Sequence, residues 1–221
     1  MLSMAKYYPA FINLDGRKCI VVGGGRVAER KIKGLTACGA DVVVVAAKVT
    51  PWIRRAAGSI RRIHLVRRYS ITCLKGALII FAATDNAAMN RRISRDAQRL
   101  GILINIADDP EHCNFILPSV LRRGDLSIAV STSGVSPGLA VSLRKYFERI
   151  FGREYGIMLR KVGKLRKLLK KNTEDKSERM RIMSGLPYEK MIWHLKNKGE
   201  RAMAQVISGH IKRKYNLSIL L

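Results

Sequence analysis

A chain of 221 residues with 48% hydrophobic side chains is long enough for one or two domains with a sizeable core and too apolar to be disordered. Its 42 Lys and Arg against 16 Asp and Glu give a net charge of +26, and residues 151–221 hold 18 basic against 6 acidic side chains, so the excess is spread over the whole length. No apolar run is long enough to cross a bilayer, and the start, Met1-Leu-Ser-Met-Ala-Lys-Tyr-Tyr-Pro9, lacks the basic-then-apolar layout of a secretory signal, with Met4 an alternative initiator.

Lys18–Val22 reads as a buried strand that runs into Gly23-Gly24-Gly25 and a helix over Val27–Cys38, ended by Gly39. The spacing Gly23-x-Gly25-x-x-Ala28 fits a dinucleotide fingerprint. Gly23 permits the tight turn, Gly25 leaves room for a pyrophosphate, and Ala28 lets the helix pack closely on the strand. The helix N-terminus offers free N–H groups to the anion. Asp41–Ala46 is a fully apolar strand of the parallel, buried kind. A short helix over Pro51–Ala57 follows, then strands over Ile63–Val66 and Ala77–Ala82, a helix over Asn86–Leu100 and a strand over Ile102–Ile106. This alternation predicts an α/β, Rossmann-like, doubly wound parallel sheet.

Ligands of such sheets bind beyond the carboxyl ends of the strands. Those ends carry Gly23, Gly24 and Gly25 with Arg26 and Val27, then Ala47 and Lys48, then Thr84 and Asp85, then Asn105 to Asp108. Four separate segments thus converge on one crevice. The acidic residue that usually holds the ribose about 20 residues past the glycines is missing, because that place reads Ala46-Ala47-Lys48. Either backbone groups hold the ribose or Lys48 meets a 2′-phosphate, which leaves NAD and NADP both open to the glycine loop.

Asn105-Ile-Ala-Asp-Asp-Pro-Glu-His-Cys-Asn-Phe115 sets polar groups directly after a core strand. Asp108 there is either a general base at the crevice mouth or part of an Asp-Asp-Pro turn. His112 and Cys113 are adjacent, a spacing that rarely converges on one metal ion, so no resident metal is expected. Cys19, Cys38, Cys73 and Cys113 form no C-x-x-C pair, which suits reduced thiols in a cytoplasmic protein.

After Asp109-Pro110 the pattern changes. Asn114–Leu121 and Leu126–Ser131 read as two strands joined by Arg122-Arg123-Gly124-Asp125. A lone hairpin is marginal and needs a partner, for which a second subunit is a natural candidate. Ser131-Thr132-Ser133-Gly134-Val135-Ser136-Pro137 then precedes a helix over Gly138–Phe151. Its hydroxyls make an anion-binding loop, an ordinary N-cap with Ser136 capping and Pro137 at the first helical position, or both. From residue 151 the chain reads as all helical: a basic amphipathic helix over 151–171, a break over Asn172–Ser177, a second break at Gly185-Leu-Pro187, and helices over Glu189–Leu195 and Glu200–Tyr215. The expected domains are residues 1–112, 113–150 and 151–221.

The motifs Tyr8-Pro-Ala-Phe11, Val22-Gly-Gly-Gly-Arg-Val-Ala-Glu-Arg-Lys31, Ala82-Ala-Thr-Asp85, Asn105-Ile-Ala-Asp-Asp-Pro110, Asn114-Phe-Ile-Leu-Pro-Ser119 and Ile128-Ala-Val-Ser-Thr-Ser-Gly-Val-Ser-Pro137 occur in this order. Together they resemble the siroheme synthase N-terminal module, the precorrin-2 dehydrogenases, some of which are also sirohydrochlorin ferrochelatases. The resemblance covers roughly residues 7–150. It implies NAD-dependent oxidation of precorrin-2 to sirohydrochlorin, with Fe2+ insertion in some members. It also implies a homodimer built through the middle region and a helical third domain over the active site.

By the same resemblance Asp108 is the general base, and Arg26, Val27, Ala47 and Lys48 contact the cofactor. Asn105, Ser131, Thr132, Ser133, Gly134 and Ser136 are candidates for substrate contact. A serine that is phosphorylated in some relatives falls at Thr132. The fused methyltransferase domain of some relatives is not expected here, so precorrin-2 comes from a separate enzyme.

The positive excess suits a tetrapyrrole bearing many carboxylates. It also suits a lineage with a basic proteome. Nucleic acid is the alternative partner, in a non-catalytic nucleotide-sensing or nucleic-acid-binding module with Lys164–Lys171 as its basic stretch.

Overall fold

Five parallel strands, β1 (Lys18–Val22), β2 (Asp41–Val45), β3 (Ile63–Val66), β4 (Ile79–Ala82) and β5 (Leu103–Ile106), lie in the order β3-β2-β1-β4-β5. The chain starts in the middle of the sheet, winds out to β3, then crosses back to β4 and winds the other way. The computed structural model describes residues 6–215, so the alternative starts Met1 and Met4 lie outside it. Two compact units meet in the sequence between Leu117 and Pro118.

Strand alternation makes the first unit two-sided. Cys19, Val21, Val42, Val44, Ile79 and Phe81 pack with Ala28, Ile32 and Leu35 of α1 (Arg26–Thr36) and Ile53 and Ala56 of α2 (Pro51–Ser59). The intervening residues Ile20, Val22, Ile80, Ala82 and Ile104 pack on the other face with Ile93 and Ala97 of α3 (Ala87–Arg99). Both faces are covered, as an all-parallel sheet requires. Burial of these side chains is what holds the unit together, at about 1.5–3 kcal/mol for each large aliphatic group.

One expected strand is shifted. The residues 114–118 do not pair as a strand, because Asn114 is used otherwise: its backbone N–H donates to the Ile104 carbonyl at 3.1 Å. Its side chain accepts from Ile104 N–H at 2.7 Å and donates to the Ile102 carbonyl at 3.0 Å. Asn114 thus covers the open edge of β5, a place where unpaired backbone groups would otherwise face solvent.

In the second unit, β6 (Ser119–Arg123) pairs antiparallel with β7 (Leu126–Val130). Arg123 faces Leu126 across the hairpin, so the turn is Gly124-Asp125 and Arg122 and Arg123 belong to the strand, narrower than the sequence suggests. Helices α4 (Pro137–Ile150), α5 (Arg153–Asn172), α6 (Lys176–Ser184) and α7 (Tyr188–Tyr215) follow, α7 being broken at Gly199, whose φ is 81°. Helix α6 is an element the apolar spacing did not reveal: it starts where Asp175 accepts from Ser177 N–H at 2.8 Å and buries Ile182. Met158, Val162, Leu165 and Leu169 of α5 share a core with Met191, Leu195, Met203, Ile207 and Ile211 of α7. Gly156 lets α5 approach the hairpin turn, since a Cβ there would lie 2.8 Å from the Arg123 carbonyl oxygen.

Candidate active site

The register of the sheet places the site. Val22 pairs with Val45 and with Ala82, and Ala82 pairs with Ile106, so β1, β2, β4 and β5 end at one level. The loops that follow are stitched to the neighbouring strands: Gly23 N–H donates to the Val45 carbonyl, Ala83 N–H to that of Val22 and Ala107 N–H to that of Ala82. The residues Gly23, Gly24, Gly25, Arg26, Val27, Ala47, Lys48, Thr84, Asp85 and Asp108 therefore emerge along one edge of the first unit. The strand order reverses there between β1 and β4, the place where doubly wound sheets take ligands.

The three glycines do different work. Gly23 has φ 126° and presses on the Ala83 carbonyl, which a Cβ would strike. Gly24 lies against the Lys48 carbonyl and tolerates no side chain either. Spacing pointed to Gly23 and Gly25 for their geometry; the need for Gly24 comes from the β2 loop. Gly25 is different: its φ of −82° is ordinary, and a Cβ would meet nothing within 4 Å. It is the N-cap of α1 and supplies no side-chain cap, so the first N–H groups of that helix have no such partner. An open backbone, an uncapped helix N-terminus and exposed Arg26 beside it fit a pyrophosphate.

Glu29 braces this cradle from below. Its carboxylate accepts from Thr50 Oγ1 at 2.7 Å and from Lys33 Nζ at 2.5 Å, bonds that hold it below the ordinary carboxylate range. Thr50 in turn caps α2 by accepting from Ile53 N–H and donates its own N–H to the Gly24 carbonyl. Ala47 and Lys48 are exposed at the end of β2.

Thr84 is tied into the scaffold. Its hydroxyl donates to Asn90 Oδ1 at 2.6 Å, and Asn90 Nδ2 donates back to the Thr84 carbonyl at 2.9 Å. Asn90 is a buried polar residue of α3 that sequence reasoning missed; an Asn six residues past a loop Thr was its one available signal. Asp85 is exposed. Asn105 is likewise occupied, its Nδ2 donating to the Phe115 carbonyl at 3.2 Å.

Asp108 stands at the end of the β5 loop with φ 61°, one of two non-glycine residues with positive φ among those described, and it is exposed. A left-handed backbone costs an L-residue energy and is worth a functional explanation. Asp109 instead pairs with His112 Nδ1 at 2.8 Å in the short 3₁₀ turn Pro110–His112. The Cys113 sulfur receives Ile106 N–H at 3.1 Å and bonds the Asp109 carbonyl, and burial pushes its thiol up, so it packs rather than reacts. Among the described residues no group of three His, Cys, Asp or Glu side chains gathers as a metal site.

Lys31 is the second residue missed. It stands three residues after buried Ala28, at helical spacing on the side of α1 that faces the sheet, and its ammonium sits 5.1 Å from the Phe81 ring centre. Burial and then the charge of Arg30 push its pKa down, while the charges of Cys113 and Asp108 oppose that shift.

The loop 131–136 belongs to the second unit. Ser136 Oγ accepts from Leu139 N–H and caps α4, Thr132 Oγ1 accepts from Ser136 N–H, and Ser131 Oγ accepts from Ser133 N–H. These hydroxyls shape the loop, while Ser133 and Gly134, both with positive φ, are exposed at its tip.

Comparison with known proteins agrees with this architecture. An NAD(P)-binding family model matches residues 10–119, and a model described as sirohaem biosynthesis protein central matches residues 123–150. The siroheme synthase of Methylobacillus flagellatus is 35% identical over 205 residues, 91% of this chain and 44% of the relative. Siroheme synthase 2 of Aeromonas salmonicida is 38% identical over 176 residues, 80% of this chain and 36% of the relative. The chain thus spans less than half the length of these curated relatives. The solved structure of SirC, precorrin-2 dehydrogenase, matches with a TM-score of 0.73 at 25% identity, covering 92% of this chain and 100% of that one. With a nicotinamide-dinucleotide sheet followed in order by the sirohaem central segment, the chain belongs to the siroheme synthase family as its N-terminal module.

Proposed function

We propose that this chain oxidises precorrin-2 to sirohydrochlorin with NAD as hydride acceptor. The observation that carries the reading is the common edge of β1, β2, β4 and β5, from which an uncapped helix N-terminus at Gly25 and an exposed carboxylate at Asp108 both emerge. Gly25 and the first N–H groups of α1 hold the pyrophosphate, and Ala47 and Lys48 stand beside the ribose. When bound, the nicotinamide takes up the hydride. Making the new double bond also releases a proton, and Asp108 accepts it as general base.

The substrate's many carboxylates give the net charge of +26 a partner, which makes the nucleic-acid reading unnecessary. The same carboxylate is proposed to receive pyrrole protons if Fe2+ is inserted as a second substrate. No helix among the described residues is long and apolar enough to cross a membrane, and the four cysteines form no disulfide; we place the enzyme in the cytoplasm. A homodimer is proposed through residues 118–150, where a two-stranded sheet stands with Val120, Leu139, Val141, Tyr146 and Ile150 exposed.

Anaerobic incubation with precorrin-2 tests the reading. NADH and sirohydrochlorin should form in equal amounts, with higher kcat/KM for NAD than for NADP. No turnover with either nucleotide would overturn it. A parallel incubation of sirohydrochlorin with Fe2+, compared with the spontaneous rate, decides the chelatase activity.

A further inference from the structure

No acid stands at the end of β2, yet a carboxylate stands one turn inside α1. Glu29 closes the first turn of that helix, its N–H donating to the Gly25 carbonyl at 3.0 Å. Both of its side-chain oxygens are engaged within the protein. Oε2 accepts from Thr50 Oγ1 at 2.7 Å and Oε1 accepts from Lys33 Nζ at 2.5 Å. The side chain is only 19% exposed. A bond to an ionised acceptor is roughly twice as strong as one between neutral groups, so the Thr50–Glu29 contact is a firm one.

Thr50 is where the loop after β2 is fastened. Its hydroxyl joins Glu29 of α1 and also accepts from Ile53 N–H at 3.2 Å to cap α2. Its own N–H donates to the Gly24 carbonyl at 3.0 Å. One residue thus ties together both helices and the glycine loop. At the other end of the loop, Ala46 N–H donates to the Val66 carbonyl at 2.9 Å. Between these ties the chain runs so close to the glycines that a Cβ on Gly24 would lie 1.9 Å from the Lys48 carbonyl oxygen. Lys33 extends the brace, its ammonium 4.5 Å from the ring centre of Trp52 on α2.

We propose that Glu29 is a positioning residue for the dinucleotide: through Thr50 it holds the loop after β2 against the glycine loop, so that pyrophosphate and ribose meet a cradle already formed. The proposal deepens the cofactor reading above and rests on it. A cradle ordered before binding spares the nucleotide the entropic cost of ordering it. Because Glu29 acts through the loop, it serves NAD and NADP alike, whereas an acid on the ribose would set the ratio between them.

Fluorescence titration of the full chain with NAD and with NADP, with no tetrapyrrole present, tests it. Glu29→Ala should raise both Kd values about tenfold and leave their ratio within about twofold of the parent. Glu29→Gln keeps an acceptor for Thr50 and should recover most of that affinity. Thr50→Val against Thr50→Ser repeats the comparison without touching α1: the first should bind as weakly as Glu29→Ala and the second like the parent. The double variant Glu29→Ala/Thr50→Val should bind no more than about twofold more weakly than either single variant, because the two residues act as a unit. In the nucleotide-free chain the Thr50 amide should exchange its hydrogen faster in Glu29→Ala than in the parent. Parent-like affinity for NAD in Glu29→Ala would overturn the proposal, as would full additivity in the double variant. A shifted ratio of NAD to NADP would overturn it too and make Glu29 a ribose ligand. A parent chain that binds neither nucleotide is a different result, which overturns the cofactor reading itself.

Discussion

Gly24 and Gly25 are neighbours, yet the structure assigns them opposite kinds of necessity. A Cβ at Gly24 would run into the Lys48 carbonyl, whereas a Cβ at Gly25 meets nothing within 4 Å. Gly24→Ala should therefore damage the fold, lowering the melting temperature by several degrees. Gly25→Val should leave the melting curve of the free protein nearly unchanged and weaken NAD binding at least tenfold, as read by fluorescence titration. Equal effects at the two positions would contradict this division of labour. Residue types and spacing were enough to point to Gly23 and Gly25, whereas they left Asp108 between a general base and a turn, and the family resemblance gave it its proposed role. Asn90, Asn114 and Lys31 were not legible in the same way, because each acts on a group outside its own element that only the fold brings beside it: a loop carbonyl, an exposed strand edge, an aromatic ring. Thr84, Asn105 and Ser136 are polar candidates whose side chains are also engaged by the scaffold, Thr84 and Asn105 in the first unit and Ser136 in the second.

At the scale of elements, the parallel strands were legible because short, largely apolar runs between turn signals have few alternatives. The failures are instructive. Helix α6 has too few apolar residues to show a period and is announced only by its Asp175 cap. Residues 114–118 look like a strand by composition but serve to close the edge of β5. Within α5, two glycines separate propensity from packing. Gly163 has open space around its missing Cβ, so Gly163→Ala should stabilise the chain by about 0.5–1 kcal/mol through helix propensity. Gly156 abuts the hairpin turn, 2.8 Å from the Arg123 carbonyl oxygen, so Gly156→Ala should instead destabilise by about 1–3 kcal/mol. Urea unfolding of both variants checks the sign; the same sign at both sites would show that α5 does not press on the turn.

For the whole molecule, the polycarboxylate substrate proposed for it gives the high positive charge of the chain a partner. The exposed apolar surface of residues 118–150 belongs to the same account, since Tyr146 is 57% exposed on a helix that also exposes Leu139 and Val141. Sedimentation equilibrium should return twice the 24.8 kDa chain mass, and Tyr146→Glu should shift it toward the monomer. The central claim is that the cradle at Gly25 and the carboxylate at Asp108 serve one reaction. Asn tolerates the left-handed backbone of Asp108 and removes only the charge, which makes Asp108→Asn the direct probe. Turnover of precorrin-2 at saturating NAD should fall by about 10²- to 10⁴-fold while the Kd for NAD stays within about twofold of the parent chain. Parent-like turnover by Asp108→Asn would contradict the account.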